Sequence, residues 1–204
     1  SNKETYGTSG DRILLWFDLI QENQLSPMGS SVNQKTNPIF RIKAVGAFEQ
    51  KPGCPDYSAT NITKEDLERI CKNECYNPSD TRKNISRIEI IKITPQISKG
   101  EPIDGLIQDT WKTFDCQPSQ EGCEVEFSDE DFEFNARDSI YYVRAVQEPS
   151  PVVNAENLRC TYDENGDCIK VNICYGDSRT DKDDDCLSLS EERAWSSPIY
   201  VNYQ

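Results

Sequence analysis

The chain has 204 residues, of which 35% are hydrophobic, and carries a formal charge of −14 from 36 acidic and 22 basic side chains. A surface of that sign repels phosphate backbones and anionic lipids, and no apolar run approaches the roughly 18 residues of a spanning helix, so neither nucleic-acid binding nor membrane insertion is expected. The absence of histidine excludes Ser-His-Asp and Cys-His nucleophile activation and leaves only all-carboxylate mechanisms.

Alternation of hydrophobic and polar residues, which is typical of half-buried strands, predicts seven strands. They cover 11–19, 38–48, 86–94, 108–116, 123–127, 139–147 and 197–203. Because no helices alternate with them, the pattern favours a mainly β fold: a single antiparallel sandwich domain of the immunoglobulin or fibronectin type over 1–204. One core is expected to contain two apolar strand faces, Ile13/Leu15/Phe17 and Phe40/Ile42/Ala44.

Two cysteine-rich insertions interrupt the strand spacing, at about 49–84 and 149–192. The first contains a short predicted helix, with Thr63 as its N-cap and Leu67 on its apolar face. In the second, Asn165-Gly166 predicts a two-residue type I′ hairpin turn, in which both residues have a positive φ.

Nine cysteines are several times the number that a cytosolic protein usually carries, and they predict disulfides and a periplasmic or extracellular location. The disulfide candidates are Cys54, Cys71, Cys75, Cys116, Cys123, Cys160, Cys168, Cys174 and Cys186. A zinc site is disfavoured because the chain has no Cys-x-x-Cys motif and no histidine.

The spacing of the cysteines predicts one pair and leaves the others open. Cys116 and Cys123 are expected to pair across the short loop between them. Cys54 is a sensible partner for Cys71 or Cys75, and Cys160 and Cys168 either face each other across the hairpin or reach to Cys174 and Cys186. An odd number leaves one thiol without a partner in the chain.

The second insertion also carries the densest group of carboxylates in the chain. Calcium prefers such oxygen ligands, and its candidate ligands here are Asp177, Asp181, Asp183 and Asp185, with Asp184 beside them. The group lacks the EF-hand spacing, and a hydrated acidic loop is the favoured interpretation of the charge run. No other cofactor is expected.

Paired carboxylates for glycoside hydrolysis are present at 129–133, but a sandwich edge seldom forms the cleft that such chemistry needs. No catalytic residue is therefore assigned, and the chain is expected not to be an enzyme. For Trp16, Trp111 and Trp195, packing is favoured over a shared sugar-binding platform.

Several segments, in the same order along the chain, resemble the C-terminal region of the bacterial domain-of-unknown-function family 3604. They are 3–13, 26–29, 87–92, 141–144 and 192–200, the last reading Glu-Arg-Ala-Trp-Ser-Ser-Pro-Ile-Tyr. The resemblance implies a larger protein with an upstream barrel similar to the metal-dependent polymerase-and-histidinol-phosphatase domain, and a phosphoesterase-like activity in that barrel. The cysteine-rich insertions depart from the plainer members of the family.

Two functions follow from these features. In the first, the chain is a non-catalytic accessory sandwich that packs against the upstream domain of the same polypeptide, with Arg12, Arg193 and Trp195 as candidates for the contact. In the second, it is an independent extracellular adhesion or carbohydrate-binding module that calcium stabilises. The N-terminus does not resemble a signal peptide, so a targeting signal is expected upstream.

Overall fold

The structure of the protein is a computed structural model. It describes 3–22, 24–60, 62–71, 75–153, 159–175, 177–181, 183–184 and 186–204, with the side chains of all these residues except 59, 68, 70 and 71.

Short strands dominate the described residues. The strands are β1 (Tyr6–Thr8), β2 (Leu14–Gln21), β3 (Gln24–Pro27), β4 (Ser31–Asn33), β5 (Ile39–Val45), β6 (Phe48–Gln50), β7 (Pro78–Arg82), β8 (Ile85–Ile93), β9 (Ile107–Asp115), β10 (Cys123–Ser128), β11 (Ser139–Gln147), β12 (Ser150–Val153), β13 (Cys160–Tyr162), β14 (Cys168–Val171), β15 (Leu187–Ser190), β16 (Arg193–Ser196) and β17 (Ile199–Asn202). The helices are a 3₁₀ turn (Asp56–Ala59), α1 (Lys64–Cys71) and α2 (Phe132–Asn135).

The strands form two larger sheets and three two-stranded ones. The larger has the order β1-β16-β11-β17-β4, with β8 on β11 and β9 on β8, and the smaller has the order β10-β5-β2-β3. The two-stranded sheets are β6–β7, β12–β15 and β13–β14. The prediction of a mainly β fold with antiparallel sheets and few helices is confirmed. The prediction that all strands pair in antiparallel fashion is wrong at one place, because β4 pairs with β17 in parallel.

Most of the buried apolar residues of the two larger sheets belong to one hydrophobic cluster. Phe40 is at its centre, with its ring 5.4 Å from that of Phe17, 5.0 Å from Phe127 and 4.7 Å from Tyr141. The two predicted strand faces, Ile13/Leu15/Phe17 and Phe40/Ile42/Ala44, are all part of this cluster. The prediction that they share one core is therefore confirmed.

A buried polar group lies beside this core. The carboxylate of Asp129, which is fully buried, lies 2.5 Å from Lys92 Nζ and accepts a 2.5 Å hydrogen bond from the hydroxyl of Tyr141. Burial is the largest cause of the raised pKa of Tyr141, and the neighbouring Asp129 carboxylate raises it further. The hydroxyl therefore stays neutral and can donate. Asp129 was among the carboxylates considered for glycoside chemistry, and the structure places it in this network instead.

Four disulfides cross-link the chain: Cys54–Cys75, Cys116–Cys123, Cys160–Cys168 and Cys174–Cys186. The predicted Cys116–Cys123 pair is confirmed, and each open alternative is decided in favour of one partner. The side chain of Cys71 lies outside the described residues. Four disulfides indicate an oxidising, non-cytoplasmic compartment.

Titration of thiols tests this pairing. Because eight of the nine cysteines are bonded, unfolding the protein without a reductant should expose no more than one thiol per chain to Ellman's reagent. The same sample treated with a reductant should expose nine. Three or more thiols before reduction would contradict the four disulfides.

Candidate functional site

Several long connections between strands lie at the same end of the two larger sheets. We call it the loop end: β5 ends there at Val45 and β11 at Gln147, while β8 begins at Ile85 and β10 at Cys123. The main chains of Lys83 and Ala47 and the Cys116–Cys123 disulfide join the sheets there. The opposite, far end contains the connection between β8 and β9 and the helix α2.

Three connections open at the loop end, and all four disulfides belong to them. The β5–β8 connection (46–84) contains Cys54–Cys75, and the β9–β10 connection (116–122) is closed by Cys116–Cys123. The β11–β16 connection (148–192) contains the other two disulfides. The covalent cross-links of the described chain are thus concentrated at one end of the fold.

A polar junction holds the bases of these connections together. Asp11, just before β2, accepts hydrogen bonds of 2.6 Å from both Lys83 Nζ and Gln147 Nε2. The Oε1 atom of Gln147, which is fully buried, accepts a 2.9 Å bond from the Ala47 amide. Lys83 also donates to Ser150. One network therefore fixes where the first and third connections leave the sheets.

The first two connections also contact each other. The Gln120 side chain accepts a 2.6 Å hydrogen bond from the Arg82 amide and donates a 2.9 Å bond to the Arg82 carbonyl. The Arg82 guanidinium lies 3.7 Å from the centre of the Phe48 ring and donates to the Gly46 carbonyl. Gly46 is required here, because a Cβ would lie 1.8 Å from the Lys83 carbonyl oxygen.

Arg12, one of the three predicted contact residues, lies in a small cavity at this end. The cavity has a volume of about 180 Å³ and is lined by Gly10, Asp11, Arg12, Ala47, Phe48, Gln50 and Tyr76. The Arg12 guanidinium lies 4.0 Å from the centre of the Tyr76 ring, so it is positioned by a cation–π contact.

Arg193 and Trp195, the other two predicted contact residues, lie together in β16. No hydrogen bond, ion pair or ring contact among the described residues joins Arg12 to either of them. Arg193 instead belongs to a chain of ion pairs across the larger sheet, in which Glu191 contacts Arg193 at 3.4 Å and Arg87 at 2.6 Å. The pKa of Glu191 is lowered, and the largest cause is its hydrogen bond with the Arg87 side chain.

The acidic loop contains carboxylates that already have basic partners. Arg179 pairs with Asp177 at 2.7 Å and Arg159 with Asp184 at 2.6 Å, and these arginines lower the pKa of both carboxyls. No group of three or more acidic, cysteine or histidine side chains suited to a metal ion occurs among the described residues, which include Asp181 and Asp183. Asp185 lies outside them. The calcium site stays a prediction.

The hairpin in the third connection differs from the predicted turn. Of the Asn165-Gly166 pair only Gly166 has a positive φ, so the type I′ prediction is wrong. Asp163 is the physical reason: its carboxylate accepts hydrogen bonds from the amides of Asn165 and Asp167, and its carbonyl accepts one from Gly166. These bonds favour a longer turn that ends on a left-handed glycine.

Sequence reasoning did not identify the polar junction. One signal was available: Tyr141, Val143, Ala145 and Gln147 occupy the inward-facing alternate positions of β11, and Gln147 breaks their apolar pattern. A polar residue at an inward position predicts a buried hydrogen-bond network. Its partners Asp11 and Lys83 lie in irregular segments, where periodicity carries no information.

Comparisons with protein-family models, with curated proteins and with solved structures found no match. In the described part of the chain, none of the helices has the length and apolar character needed to cross a bilayer.

Proposed function

We propose that the chain is a non-catalytic accessory domain of a larger periplasmic or extracellular protein, and that its loop end contacts the upstream domain of the same polypeptide. The observation that carries the proposal is the concentration of all four described disulfides in the three connections at that end.

The strand order supports a sandwich of the fibronectin type. If β2, β5 and β10 are strands A, B and E, and β9, β8, β11 and β16/β17 are strands C′, C, F and G, the sheets have the orders A-B-E and C′-C-F-G. In such folds the B–C and F–G loops open at the same end, as do the binding loops of antibody variable domains. Here those two loops are the cysteine-rich connections.

Cross-linked loops favour a binding role for physical reasons. Connections that only join strands tolerate length and mobility, whereas a binding surface gains affinity when its loops are ordered before the partner arrives. The disulfides and the Asp11–Lys83–Gln147 junction both restrict the loops in this way.

The non-catalytic part of the proposal has its own support. The chain has no histidine, and Asp129 is engaged by Lys92 and Tyr141 in the interior. The resemblance at the two ends of the sequence suggests a hydrolase barrel as the partner.

Binding to the separately produced upstream region tests the proposal. Tyr57 and Tyr76 are exposed side chains of the β5–β8 connection, and we expect Tyr57→Ala/Tyr76→Ala to weaken binding at least about tenfold in calorimetry, as loss of aromatic contact residues does. Ile97→Ala/Phe134→Ala removes exposed apolar side chains at the far end and should change the affinity less than about twofold. The opposite ranking, with both variants folded by circular dichroism, would place the interface elsewhere.

A further inference from the structure

A groove of about 460 Å³ runs through the third connection. One wall is formed by 170–173 and Tyr175, and the other by 179–181 and Asp184. Lys170 and Val171 are the last two residues of β14, and 172–173 continue the chain along the groove. Successive side chains of a strand point to opposite faces, so consecutive strand residues both line a groove when the edge of the strand, with its main chain, faces it.

Among the described residues, the strand along this wall pairs with a neighbour on one side only. β14 pairs with β13 in a two-stranded sheet, and all four of its residues are exposed. A two-stranded sheet is marginally stable alone, and a third strand with its own hydrogen bonds stabilises it. Strand addition to such an edge is a common way for a folded domain to bind an extended segment.

The groove is held open by contacts within the connection. The Cys174–Cys186 disulfide ties the segment after β14 to the segment before β15, and Arg159 pairs with Asp184 at 2.6 Å. Cys160–Cys168 fixes the β13–β14 hairpin itself. A partner segment would therefore enter a preformed site.

The chemistry of the connection defines the segment that fits. Residues 148–192 contain twelve acidic and four basic side chains, a net charge of −8 out of the −14 of the whole chain. Asp181 and Asp183 are exposed, and no basic side chain among the described residues forms an ion pair with either. Ile169, Val171, Ile173 and Tyr175 add exposed apolar surface. The groove lining itself is mixed, since Lys170 and Arg179 lie there together with Asp181 and Asp184. The negative charge of the connection as a whole therefore favours a basic partner, and its exposed apolar side chains favour a partner with apolar side chains.

We propose that this groove binds an extended basic segment of the partner protein, which adds a strand to the free edge of β14. The inference rests on the proposed function, which it deepens by naming the chemistry of the partner.

A synthetic peptide tests the inference on the intact chain. The probe is acetyl-Lys-Val-Lys-Val-Lys-Val-amide, with acetyl-Glu-Val-Glu-Val-Glu-Val-amide as the charge control. A third peptide carries N-methyl groups on alternate residues, which keep the side chains but remove the donors needed for strand pairing. We expect the basic peptide to shift the amide signals of 170–175 in nuclear magnetic resonance spectra, the acidic peptide to give no shifts, and N-methylation to weaken binding at least about tenfold.

Two variants of the chain separate local from overall charge. Asp181→Asn/Asp183→Asn should weaken the basic peptide at least about threefold, and Glu130→Gln/Glu133→Gln, an equal change of charge at the far end, less than about 1.5-fold. Equal binding of the N-methylated peptide, equal effects of the variants, shifts confined to other strands or no binding would each overturn the inference. The Tyr57/Tyr76 result with the upstream region is independent of these outcomes, so the inference can fail while the proposed function stands.

Discussion

Replacing Asp129 by alanine is expected to lower the free energy of unfolding by about 3–5 kcal/mol. The carboxylate is fully buried and neutralises Lys92, whose side chain is only 6% exposed, while accepting the hydrogen bond of Tyr141. Its removal leaves a buried ammonium without its ion-pair partner and a phenol without its acceptor. Such unpaired buried groups cost more than the intact pair contributes. Urea unfolding at neutral pH measures the change.

Two further variants identify the cause of that loss. Glu130→Ala removes the adjacent, exposed carboxylate and should change the stability by less than about 0.5 kcal/mol. Replacing both charges, as Lys92→Met/Asp129→Leu, should recover most of the stability, because an apolar pair of similar volume often substitutes for a buried ion pair. If Asp129→Ala costs no more than Glu130→Ala, the ion pair contributes nothing to the fold.

Gln147→Ala is expected to lower the free energy of unfolding by about 2–3 kcal/mol, because it leaves the Ala47 amide without its acceptor and removes one of the two donors to Asp11. The loss should be local as well as global. Hydrogen exchange at the Ala47 amide should accelerate more than exchange at amides in the middle of β5.

Gln120→Ala is the matched control at the same end. Gln120 is exposed and forms two hydrogen bonds with the Arg82 main chain, so water can replace them and the cost should stay below about 1 kcal/mol. Equal costs for the two glutamines would mean that the polar junction does not position the connections.

Five of the seven predicted strands, namely β2, β5, β8, β9 and β11, have seven to nine residues, and alternation over such a length is hard to mistake. All seven predicted strands occur, and the α1 helix begins at its predicted cap, where Thr63 Oγ1 accepts a hydrogen bond from the Asp66 amide. The remaining strands have three to five residues, such as β4 (Ser31–Asn33), which is too short for a period to emerge. Their pairing depends on distant partners, and the parallel β4–β17 pair joins Ser31 to Tyr200.

Less of the candidate site followed from the sequence. The positions of the cysteines identified the insertions and one of the four pairs, since Cys116 and Cys123 are only seven positions apart and closure of so short a loop is easy. That both insertions open at one end depends on the order of strands in the sheets, which local patterns do not encode. The Cys54–Cys75 choice depends likewise on where the chain after α1 runs, not on spacing.

The two strands that come last in the sequence lie inside the larger sheet. β16 lies between β1 and β11, and β17 between β11 and β4. A chain that emerges from a ribosome or an export channel releases 193–202 after the other strands described here, so until then one edge of β11 is open and β1 and β4 lack the strands with which they pair. Contacts such as Thr5–Ser197, 192 residues apart, form only at that stage. Chains of such high contact order fold slowly, and their unpaired edges invite aggregation, so the sheet stays vulnerable until 193–202 has joined it.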